Sequence, residues 1–185
     1  MLQILDHEFD LVDGALSFHV GVGEEGWQSA MSLEVRARPR DARRGDSEAH
    51  LSTHSFTAPA PSPHALPGAT LEVDDADEDG EPAFLLYIHE HVPLRAVRMS
   101  FGSWDVERIA VELTGEVDFE DDEGLLHAAA PLRLAAAIRF DGVTVDEGWP
   151  DKAEARLAQF FDRTHFEDPV RRPDGAHVFK RRITP

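Results

Sequence analysis

The chain has 185 residues and no cysteine, and its 36 aspartates and glutamates outnumber its 18 lysines and arginines, giving a formal net charge of −18. A field of this sign repels nucleic acids and anionic membrane surfaces and attracts cationic partners. The length fits a single domain, residues 1–185, with a sizeable core, and the absence of cysteine excludes disulfide scaffolds, thiol nucleophiles and cysteine-based zinc sites.

The N-terminal segment, residues 1–13, is acidic and has neither the basic nor the apolar stretch of a signal peptide. No segment contains the roughly 20 apolar residues needed to span a bilayer. We therefore expect a cytoplasmic protein without a membrane partner.

The first elements predicted along the chain are two strands joined as a hairpin. Residues 15–22 alternate apolar and polar side chains, and residues 27–35 do the same after a glycine-flanked turn. Such alternation predicts strands with one buried face, and the short turn predicts a β-hairpin. Counting back from the turn places Phe18 opposite Met31.

A proline-rich and arginine-rich excursion follows over residues 38–68. It contains five prolines and most of an arginine cluster at 36–44, with only a weak strand signal over 49–57. A long connection of this kind is usually functional or mobile. Because the alternating prolines at 59–63 favour extended conformations and cannot join the interior of a sheet, we expect a mobile segment.

The next part of the chain holds most of the acid. Residues 66–125 contain 17 acidic residues and three arginines, a net charge of −14. Alternation predicts strands over 70–73, 83–92, 94–101, 106–119 and 125–140. The acids are concentrated in the two turns between these strands, at 74–81 and 120–123.

The last two of these strands allow a prediction of their register. Apolar residues are odd-numbered on the first strand and even-numbered on the second, so facing residues must sum to an odd number. Opposite charges across a strand pair contribute a few tenths to about 1 kcal/mol. We therefore predict Glu112 opposite Arg133.

One helix is predicted over residues 150–166, because a proline opens the segment and apolar residues recur at helical spacing. It should lie across an open end or face of the sheet and bury Phe160 and Phe161. A short strand at 177–179 is predicted in the basic tail, 170–185.

These elements predict a mainly β domain. We expect an antiparallel β-sandwich or partly open barrel of roughly seven to ten strands, with one C-terminal amphipathic α-helix. The alternation of apolar and polar residues indicates sheets with one wet face, which excludes a doubly wound parallel fold.

Two segments have the residue types of a metal site. Residues 75–80 resemble the first half of an EF-hand calcium loop, but Leu86 stands where that loop needs a glutamate, so a solvated turn is the simpler interpretation. His89 and His91 resemble the His-x-His element of cupin barrels, since histidines two apart on a strand share a face. No glutamate follows them before Glu107, so the pair is either part of a divalent metal site or two histidines at a strand end.

The predicted function is binding rather than catalysis, since the sequence has no nucleophile elbow, phosphate loop or dinucleotide motif. We expect a non-enzymatic acidic protein, without a cofactor, that docks a cationic protein partner and not nucleic acid. One version is an antitoxin or immunity-type inhibitor of a cationic nuclease or toxin. The predicted partner-binding residues are Asp74, Asp75, Asp77, Glu78, Asp79, Glu81, Trp104, Glu120, Asp121, Asp122 and Glu123.

Three alternatives stay open at this stage. The chain could be a cupin-like metal-binding protein that uses His89 and His91. It could form homo-oligomers if the arginines at 36–44 or 170–182 met the acidic surface of another copy. The acidity could also reflect adaptation to salt or biased codon usage.

Overall fold

The computed structural model describes residues 1–4, 7–24, 26–40, 48–53, 56–57, 63–73, 76, 80–88, 90–117 and 129–183. Within these ranges the chain forms twelve strands and one α-helix. The strands are β1 (Leu2–Ile4), β2 (His7–Gly23), β3 (Gly26–Pro39), β4 (Ala49–Thr53), β5 (Phe56–Thr57), β6 (Thr70–Val73), β7 (Phe84–Tyr87), β8 (His91–Asp105), β9 (Arg108–Val117), β10 (Ala130–Val145), β11 (Val170–Arg171) and β12 (His177–Phe179), and the helix is α1 (Pro150–Phe160).

The strands belong to one sheet, in the order β1-β2-β3-β4-β7-β8-β9-β10-β12-β11, with β5 added to β3 and β6 to β8. β10 pairs with β9 along one edge and with β1 and β2 along the other, so the sheet curls back toward its start. β4 and β7 have only five and four residues, so the strands on that side of the curled sheet are shorter than β2, β3, β8 and β10. The protein is mostly β and is not a closed barrel, and the prediction of an antiparallel β fold is confirmed.

The interior of the curled sheet is apolar because the alternating strands turn one set of side chains inward. In β9, buried and exposed residues alternate without exception over its ten residues. The largest fully buried side chains are Phe18, Phe84, Phe166, Phe179, Leu2, Leu16, Met31, Leu33, Leu51, Leu66, Leu86 and Leu94. Each such side chain contributes about 1.5–3 kcal/mol by leaving water.

The hairpin of β2 and β3 has the predicted register. Phe18 faces Met31, and both side chains are fully buried. On the outer face of the same hairpin, Ser17 faces Ser32. The weak strand signal in the proline-rich excursion corresponds to β4 and β5.

The register predicted for β9 and β10 is wrong, because Glu112 faces Ala135 rather than Arg133. The observed register places Ile138 opposite Ile109, and both are fully buried. The predicted register would have placed Ile138 opposite Glu107. Both registers turn Ile138 inward, but the observed one gives it an apolar partner, whereas the predicted one would bring the charged Glu107 beside it, at a desolvation cost that exceeds the 1 kcal/mol or so available from an exposed ion pair.

The helix begins at Pro150 as predicted but ends at Phe160, six residues early. The side chain of Asp162 accepts a hydrogen bond from the Thr164 backbone at 3.0 Å and starts a separate 3-10 turn. Phe161 is buried and stacks on Phe18 at 5.3 Å, whereas Phe160 is only partly buried. In the described part of the chain, no helix combines the length and the apolar character required to cross a membrane.

The curled sheet has two ends that differ in cover and in charge. At the helix end lie Gly23 of the β2–β3 turn, Asp105 of the β8–β9 turn and Val145 of β10, and α1 follows directly from this end. At the opposite end β9 finishes at Val117 and β10 begins at Ala130. We call this the acidic end, because the sequence between those two residues is rich in carboxylates.

Gly142 is expected to be essential for the path of β10. It has a φ of +108° at the point where the β10–β2 register shifts, and a Cβ there would lie 2.6 Å from the carbonyl oxygen of Phe179. Replacing it with alanine adds both backbone strain and a clash, so Gly142→Ala should lower the free energy of unfolding by about 3 kcal/mol in urea titration. Gly148→Ala is the control, because a Cβ at Gly148 meets open space. Equal effects of the two substitutions would contradict this account of the bulge.

Candidate partner-binding surface

Both acidic segments are anchored beside the same part of β8. Val73, at the end of β6, pairs with Val97, and Val117, at the end of β9, pairs with Leu94. β6 and β9 lie on opposite edges of β8, so two strand spacings and three residues of strand separate Val73 from Val117. Strand geometry makes this separation about 14 Å. The acidic sequences that follow these two valines therefore leave the sheet from one place.

Of the predicted site residues, only Glu81, His91 and Trp104 are among those that the structure describes. Glu81 is exposed and lies inside the short bridge between Ala76 and Pro82. The others lie outside the described residues: Asp74, Asp75, Asp77, Glu78, Asp79, His89, Glu120, Asp121, Asp122 and Glu123.

The strand face beside the anchors is close to neutral. Arg95 faces Glu116 across β8 and β9, and Arg98 faces Glu72 across β8 and β6. Cross-strand pairs of opposite charge are mildly stabilising, so these acids have partners on the sheet itself. The surplus negative charge of this region therefore belongs to the sequences 74–81 and 118–123, most of which lie outside the described residues.

His91 is the first residue of β8 and is exposed, with its ring 5.0 Å from that of Tyr87. Glu90 precedes the strand and lies in the turn after β7. Among the described residues, no group of three histidine or carboxylate side chains is arranged to hold a metal ion. Since His89 is outside them, the metal site stays a prediction.

Trp104 lies at the helix end of β8, ten residues beyond Leu94 and far from the anchors. Its indole Nε1 donates a hydrogen bond to the Pro63 carbonyl at 3.1 Å, and its ring contacts Phe140 edge-on. The guanidinium of Arg181 stacks 4.1 Å from the ring centre. Through these contacts the indole holds the C-terminal segment and the 63–65 turn against the sheet.

The other two tryptophans also lie at the helix end. Trp27 is half-buried, with the guanidinium of Arg156 4.5 Å from its ring centre. Trp149 precedes α1 and is 64% exposed. The three tryptophans therefore share the end of the sheet that lies opposite the acidic anchors.

The described arginines of the first basic cluster form ion pairs within the chain. The pairs are Arg36 with Asp13, Arg38 with Glu48, and Arg40 with Asp10 and Glu8. All these side chains are at least one-third exposed, and such surface pairs contribute about 0–1 kcal/mol. For these arginines to bind the acidic surface of a second copy, they would first have to break their ion pairs within the chain.

Sequence reasoning missed an open groove of about 560 Å³ with a mixed polar and apolar lining, on the outer face of the sheet at the helix end. Its Ser17–Ser32 pair could have been predicted, since it follows from the register that places Phe18 opposite Met31. β10 and β12 form the other wall. They lie beside β2 because β10 pairs with it in parallel, and no local sequence pattern predicts that pairing.

A pair of histidines lies next to Pro63, whose carbonyl accepts the hydrogen bond from Trp104. The rings of His64 and His165 are 4.3 Å apart, and both belong to 3-10 turns packed near the C-terminal segment. Burial lowers the pKa of His64 below its usual 6.5, and the positive charges of Arg181 and of His165 lower it further. The folded protein therefore favours a neutral His64 imidazole.

No known protein family, curated protein or solved structure matches this chain.

The low pKa of His64 predicts a loss of stability in mild acid. Below pH 6.5 the unfolded chain binds a proton at this position more readily than the folded chain does, so stability falls as the pH drops from 6.5 toward the folded pKa. The melting temperature of His64→Gln should consequently fall less between pH 7 and pH 5 than that of the native chain. An NMR titration of the His64 ring with a midpoint at or above 6.5 would contradict the prediction.

Proposed function

We propose that this chain is a non-enzymatic binding protein that docks a cationic protein partner at the acidic end of its sheet. The observation that carries the proposal is the placement of Val73 and Val117 on either side of the same few residues of β8. Six carboxylates follow the first anchor between residues 74 and 81, and four follow the second between residues 120 and 123.

Such a concentration of charge suits a partner with a lysine-rich or arginine-rich surface. Carboxylates within roughly one Debye length, about 8 Å at physiological ionic strength, add their potentials, which speeds encounter with a positive surface. The strand face beside the anchors is near neutral, because Arg95 and Arg98 face acids, so the proposed site consists of the acidic sequences that follow the two anchors. Complementary charge mainly sets the association rate and the choice of partner.

An immunity-type inhibitor is a concrete form of this function. A nuclease or similar toxin has a basic site that receives phosphate, and a crowded set of carboxylates can occupy such a site in place of phosphate. The negative charge of the whole chain also disfavours binding to the nucleic acid substrate itself.

The test compares two variants that change the net charge equally at opposite ends of the sheet. The acidic-end variant carries Glu120→Gln, Asp121→Asn, Asp122→Asn and Glu123→Gln. The control carries Glu24→Gln, Glu107→Gln, Asp151→Asn and Glu167→Gln, four exposed positions at the helix end. In the first step the native chain is immobilised at low ionic strength and exposed to lysate of its source cells. Each basic protein that it captures is then purified, and its association rate is measured with the native chain and with both variants.

The association rate should fall about tenfold or more between roughly 0.05 M and 0.5 M salt, because added ions screen exposed charges. The acidic-end variant should associate at least several-fold more slowly than the control at low salt. Equal rates for the two variants, or rates that do not depend on salt, would refute docking at the acidic end.

A further inference from the structure

The groove on the outer face of the sheet lies where β3, β2, β10, β12 and β11 are neighbours, and aliphatic side chains such as Val170 and Val178 line it beside the polar ones. Its volume of about 560 Å³ falls in the range of small-molecule sites, roughly 300–1,000 Å³. It belongs to the helix end of the sheet and is separate from the acidic anchors.

Small hydroxyl-bearing residues form the floor of this groove. Ser17 of β2 and Ser32 of β3 face each other with their Oγ atoms 2.8 Å apart, and Thr144 of β10 lines the same space. A single hydrogen bond joins the two serine hydroxyls, so the hydroxyl that accepts it keeps its own proton to donate into the groove. The floor therefore offers donors to an oxygen-rich ligand.

The charge of the groove is opposite in balance to that of the chain. Its charged residues are three cations, Arg139, Arg172 and Lys180, and two carboxylates, Glu34 and Asp141. Over the whole chain, acidic residues are twice as numerous as lysines and arginines. An anion is consequently better accommodated here than on most of the surface.

Of the three cations in the groove, Lys180 is the one that forms no ion pair with a carboxylate of the described residues. Its Nζ donates to the Asp141 carbonyl oxygen at 2.6 Å, and no carboxylate of the described residues lies within ion-pair distance of it. Arg139 is already held by the carboxylates of Asp141 at 2.6 Å and Asp13 at 3.5 Å. Arg172 pairs with an exposed aspartate at 2.9 Å. The ammonium group therefore keeps donors and a net charge for a ligand.

We propose that this groove binds a small anionic metabolite that carries a phosphate or carboxylate group on a hydroxyl-bearing body. The anionic group contacts Lys180, where a charge-assisted hydrogen bond forms. The hydroxyl groups of the ligand lie over Ser17 and Ser32. A groove of this volume is larger than a bare inorganic anion requires, which is why the ligand includes a polar body.

The test is calorimetric titration of the full chain at low ionic strength with three probes: glucose 6-phosphate, glucuronate and glucose. At least one anionic probe should bind, and glucose should bind at least about tenfold more weakly. A preference for glucose 6-phosphate or for glucuronate identifies phosphate or carboxylate as the recognised group. Failure of both anions to bind at about 10 mM, or equal binding of glucose, would overturn the proposal.

The two lysines of the chain provide a matched pair of variants. Lys180→Gln removes the groove cation, and Lys152→Gln removes the same charge from an exposed position on α1. Lys180→Gln should weaken binding of the anionic probe about tenfold, whereas Lys152→Gln should leave the affinity unchanged. A third variant, Ser17→Ala with Ser32→Ala, should also weaken binding and keep the far-UV spectrum of the native chain. If the two lysine variants weakened binding equally, the loss would reflect the net charge of the chain and not a contact in the groove, and the proposed site would be rejected.

Discussion

The pairing of β10 with two different sets of neighbours is the constraint on which the rest of the structure depends. The first half of β10 lies between β9 and β1, and the second half lies between β2 and β12. The exchange takes place at the bulge at Gly142. Only glycine suits this position, because the φ is positive and the Phe179 carbonyl lies where a Cβ would be. Together with the antiparallel pairing of β10 with β1, the parallel contact to β2 joins the end of the sheet to its start and encloses the apolar faces of β2, β3, β8 and β9.

The same pairing separates the two ends of the molecule chemically. The helix end is covered by α1 and the C-terminal segment, and Phe161 packs there on Phe18. The acidic end has no comparable cover among the described residues, and there the chain enters its most negative segments from either side of β8. Carboxylates cost least where water solvates them, so crowding them into turns is compatible with a stable sheet. The sheet face itself stays near neutral because arginines face acids across the strands.

The groove and the acidic end place opposite electrostatic environments on one small domain. The groove is formed only because the parallel contact of β10 with β2 brings Lys180 and Arg172 beside the serine floor. The tryptophans follow the same division, since Trp27, Trp104 and Trp149 all lie at the helix end, where two of them are covered by arginine side chains. The protein thus keeps its aromatic surface and its densest negative charge apart.

Local patterns in the sequence predicted much of the fold. Alternation identified the hairpin and its register, because every one-residue slip would turn Phe18 and Met31 toward water. Alternation restricted β9 and β10 only to odd sums, and charge then selected the wrong member of that set. Glu112 and Arg133 are exposed, so an ion pair between them contributes little, whereas the observed register places Ile138 opposite Ile109 rather than Glu107.

By itself the sequence determined the class of fold, the start of the helix and the single hairpin register. These follow from side-chain periodicity and from composition, which act over a few residues. Only the tertiary structure decided the length of the helix, the β9–β10 register, the groove and the common origin of the acidic segments on β8. Each of these depends on contacts between residues far apart in the chain, and their free energies are differences between alternative packings that no local pattern records.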